Sequence, residues 1–203
     1  IVQNILGKKR LPMLIVDQNP NLLSRSTFNA RIAAIYGFSI FGKNLTYILD
    51  KNNEINYLLL NNFLKKYGKK KFFIFGFTSL IFDNLINKLS KKFCNNTFEN
   101  GILLHGGGWK KMEKIKINNE EFKKKLFKKL KLKEIYNYYG LVEQTGSIFV
   151  ECKYCHCFVT SNFSEILIRD INFNVLKSGK KGFIQLFSLL PRSYPGHSII
   201  TED

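Results

Sequence analysis

Through the first two-thirds of the chain, short apolar runs alternate with stretches whose apolar residues recur at helical spacing. Leu14-Ile15-Val16 is such a run, closed by the turn-rich residues 17–21. From 22 to 36, the apolar residues Leu22, Leu23, Phe28, Ile32, Ala33, Ile35 and Tyr36 fit a helix. Residues 45–49 predict a strand, stopped by Asp50-Lys51-Asn52-Asn53. Ile55, Leu59 and Phe63, with Leu60 and Leu64, predict a helix ending near Gly68. Residues 71–77 are rich in β-formers and continuously apolar after Lys71, as expected of a strand buried on both faces. Thr78 or Ser79 then caps a helix carrying Leu80, Ile81, Leu85, Ile86 and Leu89.

Ile102-Leu103-Leu104 is the next predicted strand, and it runs into Gly106-Gly107-Gly108. A basic amphipathic helix follows, with Phe122, Leu126, Phe127 and Leu130 on its apolar side. Residues 135–139 form another strand, leading to Gly140. This strand–helix alternation predicts an α/β fold with a mostly parallel sheet flanked by helices. After about Ser147 the pattern changes to strands separated by turns, at 147–151, 165–169, 182–190 and 198–201, with a turn at 177–182. That stretch predicts a small antiparallel β subdomain. The expected organisation is therefore an α/β region over 1–146 and a β-rich region over 147–203.

Composition changes this picture little. Apolar residues make up 45% of the 203 residues, a globular composition with material for a sizeable core. No stretch approaches the roughly 20 apolar residues of a spanning helix. The first residues, Ile1-Val2-Gln3-Asn4, contain no initiator Met and no signal-peptide layout. The simplest expectation is a chain that starts inside a longer, cytoplasmic product. A net charge of +17 points toward a polyanion partner such as nucleic acid. The lysines, however, are spread along helix faces and are not interleaved with aromatics as in a stacking platform. Compositional bias with solvated faces is the preferred reading. The four cysteines, Cys94, Cys152, Cys155 and Cys157, are expected as free thiols or metal ligands in a reducing compartment.

Ligands of open α/β sheets bind beyond the carboxyl ends of the strands, and two such ends here are unusual. The first is Leu104-His105-Gly106-Gly107-Gly108-Trp109-Lys110, where three glycines let the backbone approach a flat ligand closely. The second is the run from Tyr138-Tyr139-Gly140 through Leu141-Val142-Glu143-Gln144 to Thr145-Gly146-Ser147. A Tyr ends the strand, a Gly makes the turn and a carboxylate follows, which offers an aromatic face to a base and an oxygen to Mg²⁺. Each alone is compatible with an ordinary surface turn; the pair together favours a nucleotide site.

Tyr139-Gly140-Leu141-Val142-Glu143-Gln144 resembles the Tyr-Gly-x-Thr-Glu signature of the adenylate-forming superfamily, which includes acyl-CoA synthetases, luciferases and peptide-synthetase adenylation domains. Thr201-Glu202-Asp203 resembles its Thr-Gly-Asp. Gly-Gly-Trp-Lys at 107–110, Val-Glu-Gln at 142–144, the run at 146–152 and the stretch from Gly182 through Pro195-Gly196-His197 are similar to the LuxE-type acyl-protein synthetases. The resemblance covers essentially the whole chain. It implies part of the large N-terminal domain of an adenylate-forming enzyme. Such an enzyme uses ATP and Mg²⁺ to make an acyl-adenylate from a carboxylic acid, a fatty acid in the family's name, and passes the acyl group to a thiol, a protein Cys or coenzyme A. Residue by residue, it implies that Gly106, Gly107 and Gly108 line the adenine, Tyr139 stacks on it beside Gly140, Glu143 helps bind Mg²⁺ and Asp203 takes the ribose hydroxyls. Gly140, Leu141 and the strand end at 75–77 are candidate walls of the acyl pocket, and His105 and His197 are further candidates for catalysis.

Val142 stands where the broad superfamily has Thr, a departure shared with the LuxE type. The superfamily's Ser/Thr/Gly-rich phosphate loop has no counterpart in these residues; the best remnant is Leu23-Ser24-Arg25-Ser26-Thr27, which lacks glycine. The family's lid, which carries the acylated Cys of the LuxE type, is expected after Asp203. By itself, then, the chain is expected to bind nucleotide weakly and not to catalyse adenylation. Two non-catalytic alternatives stand beside this reading: an inactive remnant or scaffold of the same fold, and a basic nucleic-acid-binding module. Cys152-x-x-Cys155-His156-Cys157 has the ligand types of a tetrahedral Zn²⁺ site. Adjacent residues rarely all reach one ion, and Glu151-Cys152 fits the family pattern without metal, so zinc is the lesser expectation.

Overall fold

The structure, a computed structural model, describes residues 1–20, 29–94, 97–109, 117–144, 146–192 and 195–201. It contains a seven-stranded sheet in the order β2-β1-β3-β4-β5-β6-β7 and a three-stranded antiparallel sheet, β10-β9-β8. The chain divides into two compact units, Ile1–Asn137 and Tyr138–Asp203.

In the first unit, β1 (Leu11–Gln18) pairs in parallel with β2 (Gly42–Leu49) on one side and β3 (Phe72–Phe77) on the other. β3 in turn pairs in parallel with β4 (Gly101–Gly106), placing Phe75 beside Leu104 and Gly76 beside His105. Five or six consecutive residues of β1, β3 and β4 are buried. The two-sided burial expected over 71–77 is realised for residues 72–76, with Lys71 exposed and Phe77 half-buried, because helices cover both faces of a parallel sheet. The core joins Leu14, Val16, Ile74 and Leu103 on the strands to Leu60 and Phe63 of α3 (Tyr57–Tyr67) and Phe122, Leu126 and Leu130 of α5 (Asn119–Leu130). Of the predicted apolar faces, Leu60, Phe63 and Leu64 of α3 and Phe122, Leu126 and Leu130 of α5 are buried, whereas Leu59 and Phe127 are exposed. Polar caps start both helices: Asn56 Oδ1 accepts from the Leu59 N–H at 3.1 Å, and Asn118 Oδ1 from the Glu121 N–H at 2.8 Å. On α5 the excess lysine faces solvent, in exposed i,i+4 pairs such as Lys124–Glu120 and Lys125–Glu121.

Three local expectations are corrected. The helix expected over 22–36 does not run unbroken: α2 spans Ala30–Ser39, preceded by the short α1 (Val2–Leu6) at the chain start. Asn29 is extended and caps α2 by accepting from the Arg31 and Ile32 N–H groups, so the apolar spacing bridged a helix start; residues 21–28 lie outside the described set. Thr78 does not cap a helix. It is the first residue of α4 (Thr78–Ile81), which continues as a π-helical stretch over Phe82–Lys88, and its hydroxyl is used elsewhere. Finally, the strands after Ser147 do not all form the small sheet. β6 (Phe149–Glu151) and β7 (Phe158–Val159) extend the large one by antiparallel pairing beside β5 (Glu134–Tyr139). The two-residue β7 is too short to leave an alternating pattern.

The second unit holds the rest. Tyr138 pairs with Val150 and Tyr139 with Phe149. β8 (Ser164–Arg169), β9 (Phe183–Ser188) and β10 (Ser198–Thr201) form the predicted small antiparallel sheet. The expected turn at 177–182 joins β8 to β9, with the Lys180 N–H donating to the Lys177 carbonyl at 3.3 Å. No helix among the described residues is long and apolar enough to cross a membrane.

Candidate functional site

The two unusual strand ends fall in different units. In the first, β4 ends at Gly106, and Gly107 and Gly108 follow on the surface. Gly107 adopts φ +76°, and a Cβ there would lie 2.9 Å from the Phe77 ring. Only glycine takes this conformation without strain so close to an aromatic face. Behind the loop, His105 is 2% exposed, and its ring centroid lies 4.6 Å from that of Phe122. The Thr78 hydroxyl donates to the Gly106 carbonyl at 3.1 Å and lies 3.0 Å from His105 Nδ1. A hydroxyl has one proton, and here it is directed to the carbonyl. The facing nitrogen must therefore be the donor, which fixes His105 as the Nδ1–H form on that side. His105 thus sits inside the core, tying the end of β4 to the start of α4. Trp109 is also a core residue, packed edge-on against Phe82 and Phe122. Of the candidate acyl-pocket residues in this unit, Phe75 is fully buried against Phe38, and Phe77 is the ring beneath Gly107.

A cavity of about 850 Å³ opens between Tyr57, Lys65, Lys69, Lys92, Phe93 and Thr97. These residues belong to α3 and to loops that precede β3 and β4. The cavity is therefore at the opposite strand ends from the glycine loop and forms no part of the candidate site.

In the second unit, Tyr139 is half-buried with its ring 6.2 Å from Phe149 and 6.3 Å from Phe158. The neighbouring Tyr138 is buried, and burial pushes its hydroxyl pKa up. Gly140 is exposed and Leu141 half-buried. A short 3₁₀ turn, Val142–Gln144, follows. Glu143 is exposed and, among the described residues, its carboxylate has no cation partner. That is the donor type and accessibility a hard divalent ion such as Mg²⁺ requires, so the residue fits the role the resemblance gives it.

What fixes this turn is the residue after the Glu. Gln144 is 1% exposed, and its Nε2 donates to the Gly196 carbonyl at 3.0 Å and the Leu186 carbonyl at 3.3 Å. With two carbonyls facing that end of the amide, the nitrogen must be there, so the orientation is fixed. Gly196 reciprocates by contact: a Cβ on it would lie 2.2 Å from the Glu143 carbonyl oxygen. Ser147 and Ser188 add a hydroxyl–hydroxyl bond of 2.6 Å, and the Ser188 N–H donates to the His197 carbonyl at 3.0 Å. The structure therefore brings the Glu143 turn together with the Pro195-Gly196-His197 turn. The His197 side chain is exposed, and its backbone rather than its ring makes this connection.

Gln144, Ser147 and Ser188 are positioning residues that sequence reasoning passed over, and Thr78, expected as a helix cap, is another. Gln144 had a visible signal, a polar residue inside a motif run, but its partners are 42 and 52 positions away. Asp203, expected at the ribose, lies outside the described residues, as do Glu202, Lys110, Thr145, Ser193, Tyr194 and the Leu23–Thr27 remnant. The thiols of Cys152, Cys155 and Cys157 are free, and no three His, Cys, Asp or Glu side chains among the described residues are grouped to hold a metal. The Cys157 thiol is directed to the Cys155 carbonyl at 3.5 Å, and His156 Nδ1 to Glu151 at 3.2 Å, so the four ligand types do not converge.

The profile of the LuxE acyl-protein synthetase family matches residues 1–203. No curated protein sequence matches the chain. Among solved structures, ATP-bound MatB from Rhodopseudomonas palustris is similar, with a TM-score of 0.61 and 10% identity over 92% of this chain and 33% of that one. The luciferase-like enzyme from the mealworm Zophobas morio gives 0.57 and 16%, over 92% and 41%. A benzoate CoA ligase from Burkholderia xenovorans LB400 gives 0.56 and 11%, over 100% and 37%. At such identities the likeness is one of fold. The chain spans about a third of the length of the first of these structures.

Proposed function

The chain belongs to the LuxE acyl-protein synthetase family, and from that premise we propose that it forms the nucleotide-binding core of an ATP-dependent, acid-activating ligase. In the reaction proposed, a carboxylate oxygen of the acid attacks the α-phosphorus of ATP and pyrophosphate leaves, giving an acyl-adenylate. A thiolate then attacks the acyl carbon and AMP leaves. The acid is of the fatty-acid class, following the family, and the thiol belongs to a protein Cys or coenzyme A. Gly106, Gly107 and Gly108 line the base, Tyr139 offers it an aromatic face next to Gly140, and Asp203 takes the ribose. Bound Mg²⁺ supplies charge neutralisation at the phosphates, and Glu143 helps hold it. Catalysis of this kind is mostly positioning and electrostatics, so residues that fix geometry matter as much as those that touch substrate.

One observation carries the reading: an exposed carboxylate, Glu143, with no cation partner among the described residues, stands on a turn that Gln144 and Gly196 hold at a strand end. A solvated surface Glu needs no such support. His105 and His197, both considered for catalysis, are assigned positioning roles in this proposal, through the His105 ring and the His197 backbone.

The test is carboxylic-acid-dependent exchange of labelled pyrophosphate into ATP, assayed with the chain by itself and with the intact gene product over a panel of acids. Exchange by the intact product, abolished by Glu143→Gln, supports the proposal. With no phosphate loop of the Thr-Ser-Gly type in its sequence, the chain by itself is expected to show none. Nucleotide binding without exchange in either form would favour an inactive scaffold.

A further inference from the structure

We propose that the cleft between α3 and the chain around Phe93 is a second ligand site, for a soluble organic anion with a phosphate or carboxylate head on an apolar or aromatic body. It lies away from the glycine loop and takes no part in the reaction proposed above. Its two walls are pinned together at both ends. At the start of α3, the Tyr57 hydroxyl accepts from the Ser90 N–H at 3.1 Å and donates to the Lys88 carbonyl at 3.2 Å. Just past the end of α3, Asn100 Nδ2 donates to the Gly68 carbonyl at 2.9 Å, and a Cβ on Gly68 would lie 3.3 Å from the Thr97 carbonyl oxygen. The Thr97 hydroxyl in turn donates to the Phe93 carbonyl at 2.6 Å. Between these pins the 11 residues of α3 run about 16 Å, and a space of about 850 Å³ stays open. Preformed sites for small organic ligands have this size.

The lining sets the class of ligand. Lys65 and Lys69 on one wall and Lys92 on the other border the cleft, and among the described residues no Asp or Glu does. None of the three has a carboxylate partner among the described residues, whereas Lys124 and Lys125 of α5 each have one. Like charges gathered without counterions repel, and an anion seated between them relieves that repulsion. Complementing the C-terminal dipole of α3 would account for Lys65 but not for Lys92, which belongs to the opposite wall.

The floor is apolar. Leu64 and Phe93 are buried there, and the Phe93 ring stacks on Tyr57 with centroids 5.4 Å apart. Lys92 Nζ stands 5.2 Å from the Phe93 centroid and 5.8 Å from that of Tyr57, so charge and apolar surface adjoin. A bare inorganic anion would leave the floor unused, and a neutral hydrocarbon would leave the lysines without a counterion. A cleft closed at both ends holds one molecule, unlike the flat face that a lipid bilayer requires.

The test is isothermal titration of the intact gene product with 1-naphthyl phosphate, and with 1-naphthylmethanol and inorganic phosphate as body and head alone. The expected result is one site per chain for 1-naphthyl phosphate, tighter than either part and weakening as salt rises. The double substitution Lys65→Gln, Lys92→Gln should weaken binding about tenfold, the scale of losing two exposed ion contacts. Asn61→Trp, which fills the cleft without changing its charge, should abolish binding while the circular dichroism stays native. Lys124→Gln on α5 should leave it unchanged. No binding, binding as tight by either part, an equal fall with Lys124→Gln, or binding indifferent to both cleft variants would overturn the proposal. So would cosedimentation with phosphatidic acid vesicles that the double substitution abolishes, since that would make the ligand a lipid headgroup. None of these readouts depends on ligase activity.

Discussion

The ends of β4 and β5 carry the glycine loop and the Glu143 turn, and the two are held in place by different physics. At β4 the support is burial. The glycine loop follows a strand buried along its whole length, and the polar groups behind it, His105 and Thr78, satisfy each other inside the core. At β5 the support is a set of polar anchors. The Glu143 turn stands on one buried amide and one glycine contact, with a pair of serines close by. A buried strand end tolerates loss of a surface group but not of core volume. A turn held by a few hydrogen bonds can lose its geometry while its unit stays folded. Substitutions at the two ends should therefore separate stability from activity.

The largest effect should come from the core under β4. Phe75→Ala removes a fully buried ring packed at 4.7 Å from Phe38 and should cost about 3–5 kcal/mol in chemical denaturation. A loss below about 1 kcal/mol would show that this strand end is not held by packing. Next is Gly196→Ala, which drives a methyl into the Glu143 carbonyl oxygen. It should cost about 1–3 kcal/mol and abolish acid-dependent pyrophosphate exchange while the circular dichroism stays native. Retained exchange would mean that the Glu143 turn needs no fixed geometry.

Thr78→Val tests the polar part of the β4 end. It leaves the Gly106 carbonyl and His105 Nδ1 without the hydroxyl, at a cost of about 1–3 kcal/mol, and Thr78→Ser should restore most of it. A loss with Ser but none with Val would shift the explanation to the methyl group. The smallest effect belongs to the small sheet of the second unit. The Asp170 carboxylate caps its own turn, and its pKa is lowered first by the Asn174 N–H, with the Asn174 side chain and the Asn172 N–H adding to this. Because the folded value is depressed, this contribution is present above the ordinary carboxylate value of 3.8 and is lost as pH falls through the lower folded value. An NMR titration should find Asp170 ionised below the ordinary range, and its resonance should shift together with the Asn174 amide.

The same contrast decides what was legible in the sequence. β1, β3 and β4 could be read because two-sided burial leaves continuous apolar runs such as 72–75. The faces of α3 and α5 could be read because Leu60 and Phe63, and Phe122 and Leu126, repeat at helical spacing. The start of α2 was hidden because Leu22, Leu23 and Phe28 keep that spacing across the Asn29 cap. Thr78 was assigned to a cap because threonine before a helix usually does that; only the neighbouring strand supplies the Gly106 carbonyl that takes its hydroxyl. β7 is two residues long and leaves no pattern. At the site, Gly107 and Glu143 stood out because their chemistry is local. Gln144 did not, because its function depends on carbonyls brought to it by β9 and by the turn before β10.

The central claim is that Glu143, held by Gln144, serves acid activation. Its most direct test is acid-dependent pyrophosphate–ATP exchange by the intact gene product carrying Glu143→Gln or Gln144→Leu. The account predicts exchange in the unmodified protein and a fall of about 100-fold with Glu143→Gln, the scale for removing one preorganised electrostatic group. Gln144→Leu should bring a comparable fall with the fold intact. Exchange unchanged by both substitutions, or none with any carboxylic acid, would contradict it.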